Sequence, residues 1–498
     1  MGSYLSEREL KDLDSAQEGF ESPVPTQIIS NCEFNPLPQT PQQKRVEARI
    51  KELADGYAGK QGLSRRAFLQ SSCGMAAAFL AMNEVFGSLF DTSEAEAATP
   101  EMAQERAKAL SHQFIFDDQT HFVHDDFKQT HLLGVGLFAA EYWETDLNAE
   151  QLTLADYKFE NYVRQIFFNS DTKVALLSGA PFDDPAWWLI PNAQIKQAVD
   201  MINEVAGSRR MLGHAVITPG QDGWMDEVDC ALEERRPDSW KGYTIGDPIS
   251  AETKFPWRLD DEELMYPFYE KAVAAGVTNL CIHKGLMPAD YEESWPEVWK
   301  HQTPWDIPKA AKDWPEINFI IYHGCLRPFL ELPDKALAEF EESGEITWAS
   351  DLARVPEEHG VSNVYAELGS SFANSATASP RFAAALLGTY IKHMGADHVI
   401  WGTDSLWYGS PQWQIEALRR LEIPEDMQEK HGFAPLGGAT STTKSAIFGL
   451  NSARLYNLDL SADGNDYAPM HPDKFDEIKQ TYERAGGLVP DAACGYIK

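Results

Sequence analysis

The chain has 498 residues, enough for one large core with appendages. With 43% hydrophobic and 24% charged residues, its composition is that of a folded globular protein and excludes disorder along the whole chain. The formal net charge of -35 repels phosphate backbones, and no run of lysines and arginines interleaved with aromatics counters it. Nucleic acid is therefore excluded as a partner, and the acidity itself identifies no substrate.

Six cysteines are spread along the chain without a C-x-x-C pair or the spacing of a zinc finger. They are Cys32, Cys73, Cys230, Cys281, Cys325 and Cys494. This spacing excludes a dense disulfide framework. Cys281 and Cys325 each lie two residues from a histidine of the candidate site described below, but small buried thiols are favoured over metal ligands.

Residues 1–63 form a polar, proline-containing extension in which one helix is predicted, over residues 42–57. At residue 64 the sequence changes to S-R-R-A-F-L, followed by a small apolar run at residues 73–82 and by E-A-E-A-A at residues 94–98. This order resembles a twin-arginine export signal that ends in an A-x-A cleavage site. Residues 64–98 are therefore predicted to be a signal segment, and the protein to be exported to the periplasm.

The apolar run is too short to anchor the protein in a membrane. It is interrupted by Asn83 and Glu84, whereas a helix that spans a bilayer needs about 20 apolar residues. Export is favoured over anchoring, and no membrane span is predicted. The alternative is an ordinary amphipathic helix that begins at Ser64, in which case the protein stays in the cytoplasm.

Short β-rich runs alternate with helical stretches from Phe114 onward, as in a parallel α/β fold. Strands are predicted at residues 114–118, 174–178, 212–217, 242–245, 278–283, 317–323, 364–368 and 399–403, and helices between them include residues 192–205, 261–275 and 380–394. Eight strands predict a (β/α)8 TIM barrel over residues 99–458. A C-terminal extension over residues 459–498 would cap the barrel or contact another subunit. An open doubly wound sheet is the alternative, but no glycine-rich loop follows the first strand.

Several predicted strands end at residues that bind metals or carry protons. Gln119 and His121 share one face of the first strand by period-two alternation. His283, His323 and Asp404 stand at the ends of the fifth, sixth and eighth strands. The C-terminal ends of barrel strands meet at one face, where such enzymes place their active sites. Neutral imidazoles with a carboxylate suit zinc or manganese, so these residues predict a metal site with a position left for water or substrate.

The same segments resemble motifs of the amidohydrolase superfamily. D-D-Q-T-H at residues 117–121 is similar to the D-x-H-x-H motif of the first strand, with Gln119 where the first histidine is usual. N-L-C-I-H-K-G at residues 279–285, F-I-I-Y-H-G at 319–324 and I-W-G-T-D at 400–404 resemble the ends of the fifth, sixth and eighth strands. The most similar branch contains aminocarboxymuconate-semialdehyde decarboxylase and the resorcylate decarboxylases, together with lactone-type hydrolases. The resemblance extends over about residues 114–458 and includes a closing helix, G-L-N-S-A-R-L-Y at 449–456.

The resemblance implies one divalent metal, zinc in the first place and manganese as the alternative, bound by Gln119, His121, His283 and Asp404. It implies that Asp404 also accepts a proton and that His323 faces the substrate as an acid or base. The first hypothesis is a hydrolase in which the metal lowers the pKa of a bound water to about 7, while His323 polarises the carbonyl of a small organic, aromatic or lactone-type substrate.

Two alternatives stay open. One is a metal-dependent nonoxidative decarboxylase of an aromatic or unsaturated carboxylic acid. The other is a barrel that binds a ligand or a partner without turnover, because Gln119 replaces a metal ligand. A homodimer is expected by resemblance alone.

Aromatic residues are concentrated in two loops predicted at the mouth of the barrel, with Trp187 and Trp188 after the second strand and Trp407 after the eighth. They predict a flat aromatic or lipophilic substrate, or else they pack the loops onto the barrel. Lys284 and Arg327, beyond the fifth and sixth strands, are candidate clamps for a substrate carboxylate.

Four other polar residues are interpreted without a catalytic role. His214 and Glu367 lie inside predicted strands and are interpreted as hydrogen-bonded interior groups. His124 and His131 are interpreted as loop residues.

Overall fold

The structure, a computed structural model, describes residues 22–27, 39–128, 153–248, 250–287, 290–327, 333–461 and 473–492. The predictions for Cys32, His131 and Cys494 lie outside these residues. Eight parallel strands form one sheet in which each strand pairs with the next along the chain. The strands are β1 (Phe116–Thr120), β2 (Val174–Leu177), β3 (Met211–Val216), β4 (Ser239–Tyr243), β5 (Asn279–His283), β6 (Asn318–Tyr322), β7 (Val364–Glu367) and β8 (Val399–Ile400).

The first and last strands meet and close the sheet. The backbone N–H of Asp118 donates to the carbonyl oxygen of Trp401 at 2.9 Å, and that of Asp404 donates to the carbonyl oxygen of Gln119 at 2.9 Å. A parallel bridge between Thr120 and Ser405 extends this contact. These bonds turn the sheet into a barrel, and the predicted (β/α)8 fold is confirmed.

All eight predicted strands are present, but the predicted starts of the first and fourth are wrong: β1 begins at Phe116 rather than at residue 114. β4 begins at Ser239 rather than at residue 242 and is buried along its whole length. Its residues Ser239 and Lys241 are polar yet buried, so a search for hydrophobic alternation misses them. β8 has only two residues and is therefore shorter than the predicted strand at 399–403.

Helices surround the barrel. They are α1 (Pro41–Gln61), α2 (Arg65–Leu69), α3 (Ser72–Phe86), α4 (Glu94–Ala98), α5 (Pro100–Leu110), α6 (Phe159–Val163), α7 (Asn192–Ala206), α8 (Trp224–Cys230), α9 (Tyr266–Ala275), α10 (Tyr291–Ser294), α11 (Ile307–Asp313), α12 (Pro333–Ser343), α13 (Ala349–His359), α14 (Ser371–Ala378), α15 (Pro380–Met394), α16 (Gln412–Arg420), α17 (Glu425–His431), α18 (Thr442–Ser445), α19 (Asn451–Leu455) and α20 (Lys474–Arg484). The predicted helix at 261–275 begins later, at Tyr266, where Pro267 occupies the first turn.

The apolar run in the predicted signal segment is a buried helix of the fold. Ala77 and Phe79 in α3 have no exposed surface and belong to the same core cluster as the barrel helices. Asn83, which interrupts the apolar run, accepts the backbone N–H of Phe90 at 2.9 Å and donates to its carbonyl oxygen at 2.7 Å. Ser64 caps α2, as the alternative interpretation expects. Export stays a prediction, while the segment itself is part of the packed structure.

No helix in the described part of the chain has the length and hydropathy needed to cross a membrane. Four cysteines lie in that part, and all four are free thiols. Cys73, Cys281 and Cys325 are buried and Cys230 is partly buried, which agrees with their interpretation as small interior side chains.

Candidate metal and catalytic site

Five residues predicted from the sequence lie at the C-terminal ends of their strands, where the barrel gathers them. Gln119 is in β1 and His121 follows it, His283 ends β5, His323 follows β6, and Asp404 lies beyond β8. Each is at most 3% exposed. The site is therefore a buried, polar region at one end of the barrel.

Three of these side chains are in mutual contact: those of Gln119, His121 and Asp404. Oδ1 of Asp404 is 3.0 Å from Nε2 of His121 and 3.0 Å from Nε2 of Gln119. The two nitrogens, from Gln119 and His121, are 3.3 Å apart. We call these three atoms the 119–121–404 triangle. Two ligands of one ion with bonds of about 2.1 Å are separated by about 3.0–3.4 Å, so the triangle has the dimensions of one face of a metal coordination shell.

The hydrogen bonds of His121 show that a positive charge belongs at this point. Its Nδ1 lies 2.8 Å from the carbonyl oxygen of Ser178, and because a carbonyl oxygen only accepts, Nδ1 carries the hydrogen. In the neutral ring, Nε2 then directs a lone pair at the carboxylate of Asp404. Two acceptor atoms at this distance require a cation between them, either a proton on Nε2 or a metal ion.

His283 and His323 form a second pair. Nε2 of His323 is 2.9 Å from Nδ1 of His283, and Nδ1 of His323 is 2.8 Å from the carbonyl oxygen of Gly369. Burial lowers the pKa of His323 to about 4, although the charge of Asp404 partly opposes this shift. Burial, followed by the charge of His323, lowers the pKa of His283 well below its ordinary value. Both rings are therefore neutral at pH 7.

The structure brings three of the four predicted metal ligands together and pairs the fourth with His323. Among the residues that the structure describes, no group of three or more His, Cys, Asp or Glu side chains is arranged to hold a metal ion. The reason is that the third corner of the triangle is Gln119, an amide. His121, Asp404 and Gln119 fit a divalent cation by spacing and by the need for positive charge. His283, with its hydrogen on Nδ1, has Nε2 as its basic nitrogen.

Asp404 has further partners that the sequence does not reveal. Its Oδ2 accepts a hydrogen bond from Ser370, whose Oγ is 2.8 Å from the hydroxyl of Tyr408. Burial raises the pKa of Asp404, but the hydrogen bond and charge of His121, the charge of His323 and the Ser370 hydrogen bond together hold it below its ordinary value. The carboxylate is thus ionised and hydrogen-bonded through both oxygens.

Strained backbone presents these groups. His323, Ser370 and Asp404 have φ values of 63°, 56° and 58°, a region that L-residues seldom occupy. Glu367 holds part of this arrangement, because its carboxylate accepts the backbone N–H of His323 at 3.1 Å and that of Gly369 at 2.7 Å.

Glycine is needed where the eighth strand passes this carboxylate. A Cβ at Gly402 would lie 1.7 Å from Oε1 of Glu367, which explains the glycine of the G-T-D segment.

Aromatic rings line the two histidine groups. The rings of Trp407 and His121 are 5.6 Å apart and nearly parallel, and those of Tyr243 and His283 are stacked at 4.6 Å. Trp187 and Trp188 are only partly buried, with the indole of Trp188 donating to the carbonyl oxygen of Phe182. Of the three predicted tryptophans, Trp407 is therefore the one that the structure places against a candidate ligand.

The two predicted carboxylate clamps lie in different settings. Lys284 is fully buried and its Nζ is 3.0 Å from Asp306 and 2.7 Å from the carbonyl oxygen of His301. Its ammonium group thus already has partners within the protein. Arg327 is partly buried at the end of a described segment, and its role stays a prediction.

The interpretation of His214 and Glu367 as hydrogen-bonded interior groups is confirmed. Nε2 of His214 is 2.9 Å from the hydroxyl of Tyr322, and Nδ1 is 2.8 Å from the hydroxyl of Ser239. Glu367 accepts the two backbone N–H groups described above, and it therefore supports the site as well. His124 lies in a loop after β1, as expected.

Solved structures that resemble the chain include two aromatic-acid decarboxylases. The 5-carboxyvanillate decarboxylase from Sphingomonas paucimobilis is 14% identical, with a TM-score of 0.42 over 70% of this chain and 100% of that one. The dihydroxybenzoic acid decarboxylase from Polaromonas sp. JS666, solved with bound manganese and the inhibitor 2-nitroresorcinol, is 15% identical, with a TM-score of 0.42 over 69% of this chain and 97% of that one. Likenesses at this level assign no substrate to this chain.

No curated protein matches the chain. Residues 250–458 match the amidohydrolase family, and this region holds His283, His323, Glu367 and Asp404 but not Gln119 or His121. The match thus relates the second half of the barrel to the amidohydrolase family.

Proposed function

We propose that the protein is a metal-dependent nonoxidative decarboxylase of an aromatic carboxylic acid. The observation that carries the proposal is the state of Asp404, which is buried, ionised and hydrogen-bonded through both oxygens. A hydrolase of this type needs Asp404 as a base that takes a proton from water, and a carboxylate whose pKa is held low is a weak base. Decarboxylation does not make that demand.

The burial of the site residues supports the same reaction. A substrate carboxylate placed among side chains that are at most 3% exposed loses its hydration, whereas carbon dioxide is uncharged and loses little. Trp407 and Tyr243, stacked on His121 and His283, offer apolar faces for an aromatic ring. A divalent metal held by His121 and Asp404, with His283 as a further candidate ligand, would supply positive charge for the substrate oxygens.

In the proposed reaction the bond between the ring carbon and the carboxylate breaks, and its electron pair stays on the ring carbon. A proton then replaces carbon dioxide there. Ser370 donates its hydroxyl hydrogen to Oδ2 of Asp404, and Tyr408 stands behind Ser370. Because the pKa of Asp404 is held low, the carboxylate stays ionised, and the hydroxyls supply the proton: Ser370 gives its hydrogen to the ring carbon and regains one from Tyr408, which is reprotonated by solvent.

The hydrolase is the second candidate, because residues 250–458 match a family described as amidohydrolase. The test is a comparison on metal-loaded protein of carbon dioxide release from a panel of hydroxybenzoates with ring opening of a panel of lactones. Carbon dioxide release supports the proposal, and lactone opening without it establishes the hydrolase. Absence of both, with a metal content far below one per chain after loading, would favour the non-catalytic barrel.

A further inference from the structure

In the amide of Gln119 the nitrogen has hydrogen-bond partners and the oxygen has none among the described residues. Its Nε2 lies 3.0 Å from Asp404 and 3.3 Å from His121, while Oε1 has no hydrogen-bond partner among the described residues although Gln119 is 1% exposed. A buried acceptor without a donor is costly, because the oxygen loses its bonds to water and gains none in the protein. An unpartnered oxygen of this kind indicates that the amide has a second arrangement in the working protein.

The surroundings of the unpartnered oxygen show what that arrangement is. A Cβ built on Gly369 would lie 2.1 Å from Oε1 of Gln119 and 2.8 Å from Oε1 of Glu367. Two acceptor oxygens therefore border the same glycine. Rotation of the amide by 180° exchanges its oxygen and nitrogen without changing its shape. The amide N–H group then faces the carboxylate of Glu367, and Oε1 takes the third corner of the 119–121–404 triangle.

Three acceptors would then surround one point: Oε1 of Gln119, Nε2 of His121 and Oδ1 of Asp404. They hold together only around a cation, and their separations of 3.0–3.3 Å suit a divalent ion. We propose that Gln119 binds the metal through its amide oxygen, that Glu367 accepts the amide N–H and fixes this orientation, and that the affinity ratio of the site is consequently shifted towards Mn²⁺, compared with a histidine at this position. The inference rests on the metal-dependent function proposed above.

The metal preference follows from the donor atom. An amide oxygen is a harder and weaker donor than an imidazole nitrogen, and oxygen donors suit Mn²⁺ whereas imidazoles suit Zn²⁺. Gln119 thus does not remove a ligand but replaces nitrogen by oxygen. The motif that this segment resembles has a histidine at this position. Gln119→His is therefore the variant that should reverse the shift in metal preference.

The test uses full-length protein stripped with a chelator and titrated with Mn²⁺, monitored by electron paramagnetic resonance, and with Zn²⁺ by competition. We expect Gln119→Leu to weaken Mn²⁺ binding about tenfold to a hundredfold, and Glu367→Gln to weaken it about tenfold. Gln119→His should shift the affinity ratio towards Zn²⁺ by about tenfold or more. In pulsed measurements on the Mn²⁺ form, it should add one nitrogen coupling to the spectrum. Gln302→Leu is the matched control, because Gln302 is a fully buried glutamine outside the triangle and its loss should leave Mn²⁺ affinity unchanged.

Wild-type affinity in Gln119→Leu, or an unchanged nitrogen count and metal ratio in Gln119→His, overturns the inference. Because Gln119→His preserves size and polarity, it decides the question even where Gln119→Leu is unstable. The proposed reaction and the proposed role of Gln119 can fail separately. A Mn²⁺ site that depends on Gln119, in a protein that releases no carbon dioxide, refutes the decarboxylase reaction and supports Gln119 as a metal ligand. If the wild type releases carbon dioxide and the Gln119→Leu variant keeps its metal, the reaction is supported and Gln119 is not a metal ligand.

Discussion

Nδ1 of His283 lies 2.9 Å from Nε2 of His323, and the hydrogen between them belongs to His283. His323 already donates its own Nδ1 hydrogen to the carbonyl oxygen of Gly369, and both rings are neutral because burial lowers the pKa of each. His323 therefore fixes the tautomer and orientation of His283. This role differs from the acid or base that the sequence motif predicts.

We expect His323→Ala to weaken metal binding about tenfold to a hundredfold, as the loss of a group that orients a metal-bound histidine does. His323→Gln should restore much of the affinity, because its side-chain oxygen can accept the hydrogen of His283. Titration of stripped protein with Mn²⁺ measures both. If His323→Ala binds metal like the wild type and loses only turnover, His323 is an acid or base and not a positioning residue.

Ser370 controls the proton supply to the ring carbon in the proposed reaction. Ser370→Ala removes the hydroxyl that donates to Oδ2 and separates Tyr408 from the carboxylate. We expect kcat, measured at saturating metal, to fall about tenfold to a hundredfold. The control is Ser371→Ala, since the neighbouring hydroxyl donates to the carbonyl oxygen of Leu368 instead. Equal losses in the two variants would contradict a proton path through Ser370.

The fold could be predicted from the sequence because hydrophobic runs mark most of the strands. β1 and β4 are the exceptions: four of the five residues of β1 are polar, and so are the buried residues Ser239 and Lys241 of β4. The site could be predicted where a motif ends a strand, as at His283 and Asp404. Ser370 carries no motif, and the pairing of β7 with β8 brings its loop to Asp404, whereas Tyr408 follows Asp404 in the same loop.

The sequence also could not separate the predicted ligands into a triangle and a pair. That separation depends on where each histidine finds its carbonyl partner, Ser178 for His121 and Gly369 for His323. Backbone acceptors have no sequence signature, because any residue supplies the same carbonyl group.

His214 makes the stability of the protein depend on pH. Burial lowers its pKa well below the ordinary value of 6.5, with help from the charge of Lys241. Below pH 6.5 the unfolded chain therefore binds a proton that the folded protein does not, and the free energy of unfolding falls as the pH falls. Urea unfolding of His214→Gln at several pH values between about 7 and about 5 should show a smaller pH dependence than the wild type.

Other buried groups contribute to the same profile, so the comparison between the two proteins is what matters. Burial raises the pKa of Asp117 to about 7. Its contribution has the opposite sign, because the folded protein holds a proton on Asp117 that the unfolded chain does not, and this stabilisation is lost as the pH rises towards 7. It is present in both proteins and cancels in the difference. Parallel profiles for wild type and variant would show that His214 does not titrate in this way.

The N-terminal helices contribute a buried ion pair to the barrel. Oε1 of Glu96, in the predicted cleavage region, is 2.6 Å from Arg420 of α16, and Arg420 also binds Glu416 at 2.9 Å. Removal of residues 1–98 would take away this partner and uncover the apolar surface against which Phe79 packs. We therefore expect the truncated protein to be much less stable than the full chain, or insoluble.

A point variant tests the same contact without truncation. Glu96→Ala should lower the free energy of unfolding by up to about 3–5 kcal/mol, since it leaves a buried arginine with one carboxylate fewer. Glu94→Ala, in the same helix at an exposed position, should change it by less than about 0.5 kcal/mol. Urea unfolding measures both, and mass spectrometry of protein from the native host identifies its first residue. A mature chain that begins after Ala98 and is as stable as the full chain would establish the signal peptide and contradict a structural role for these helices.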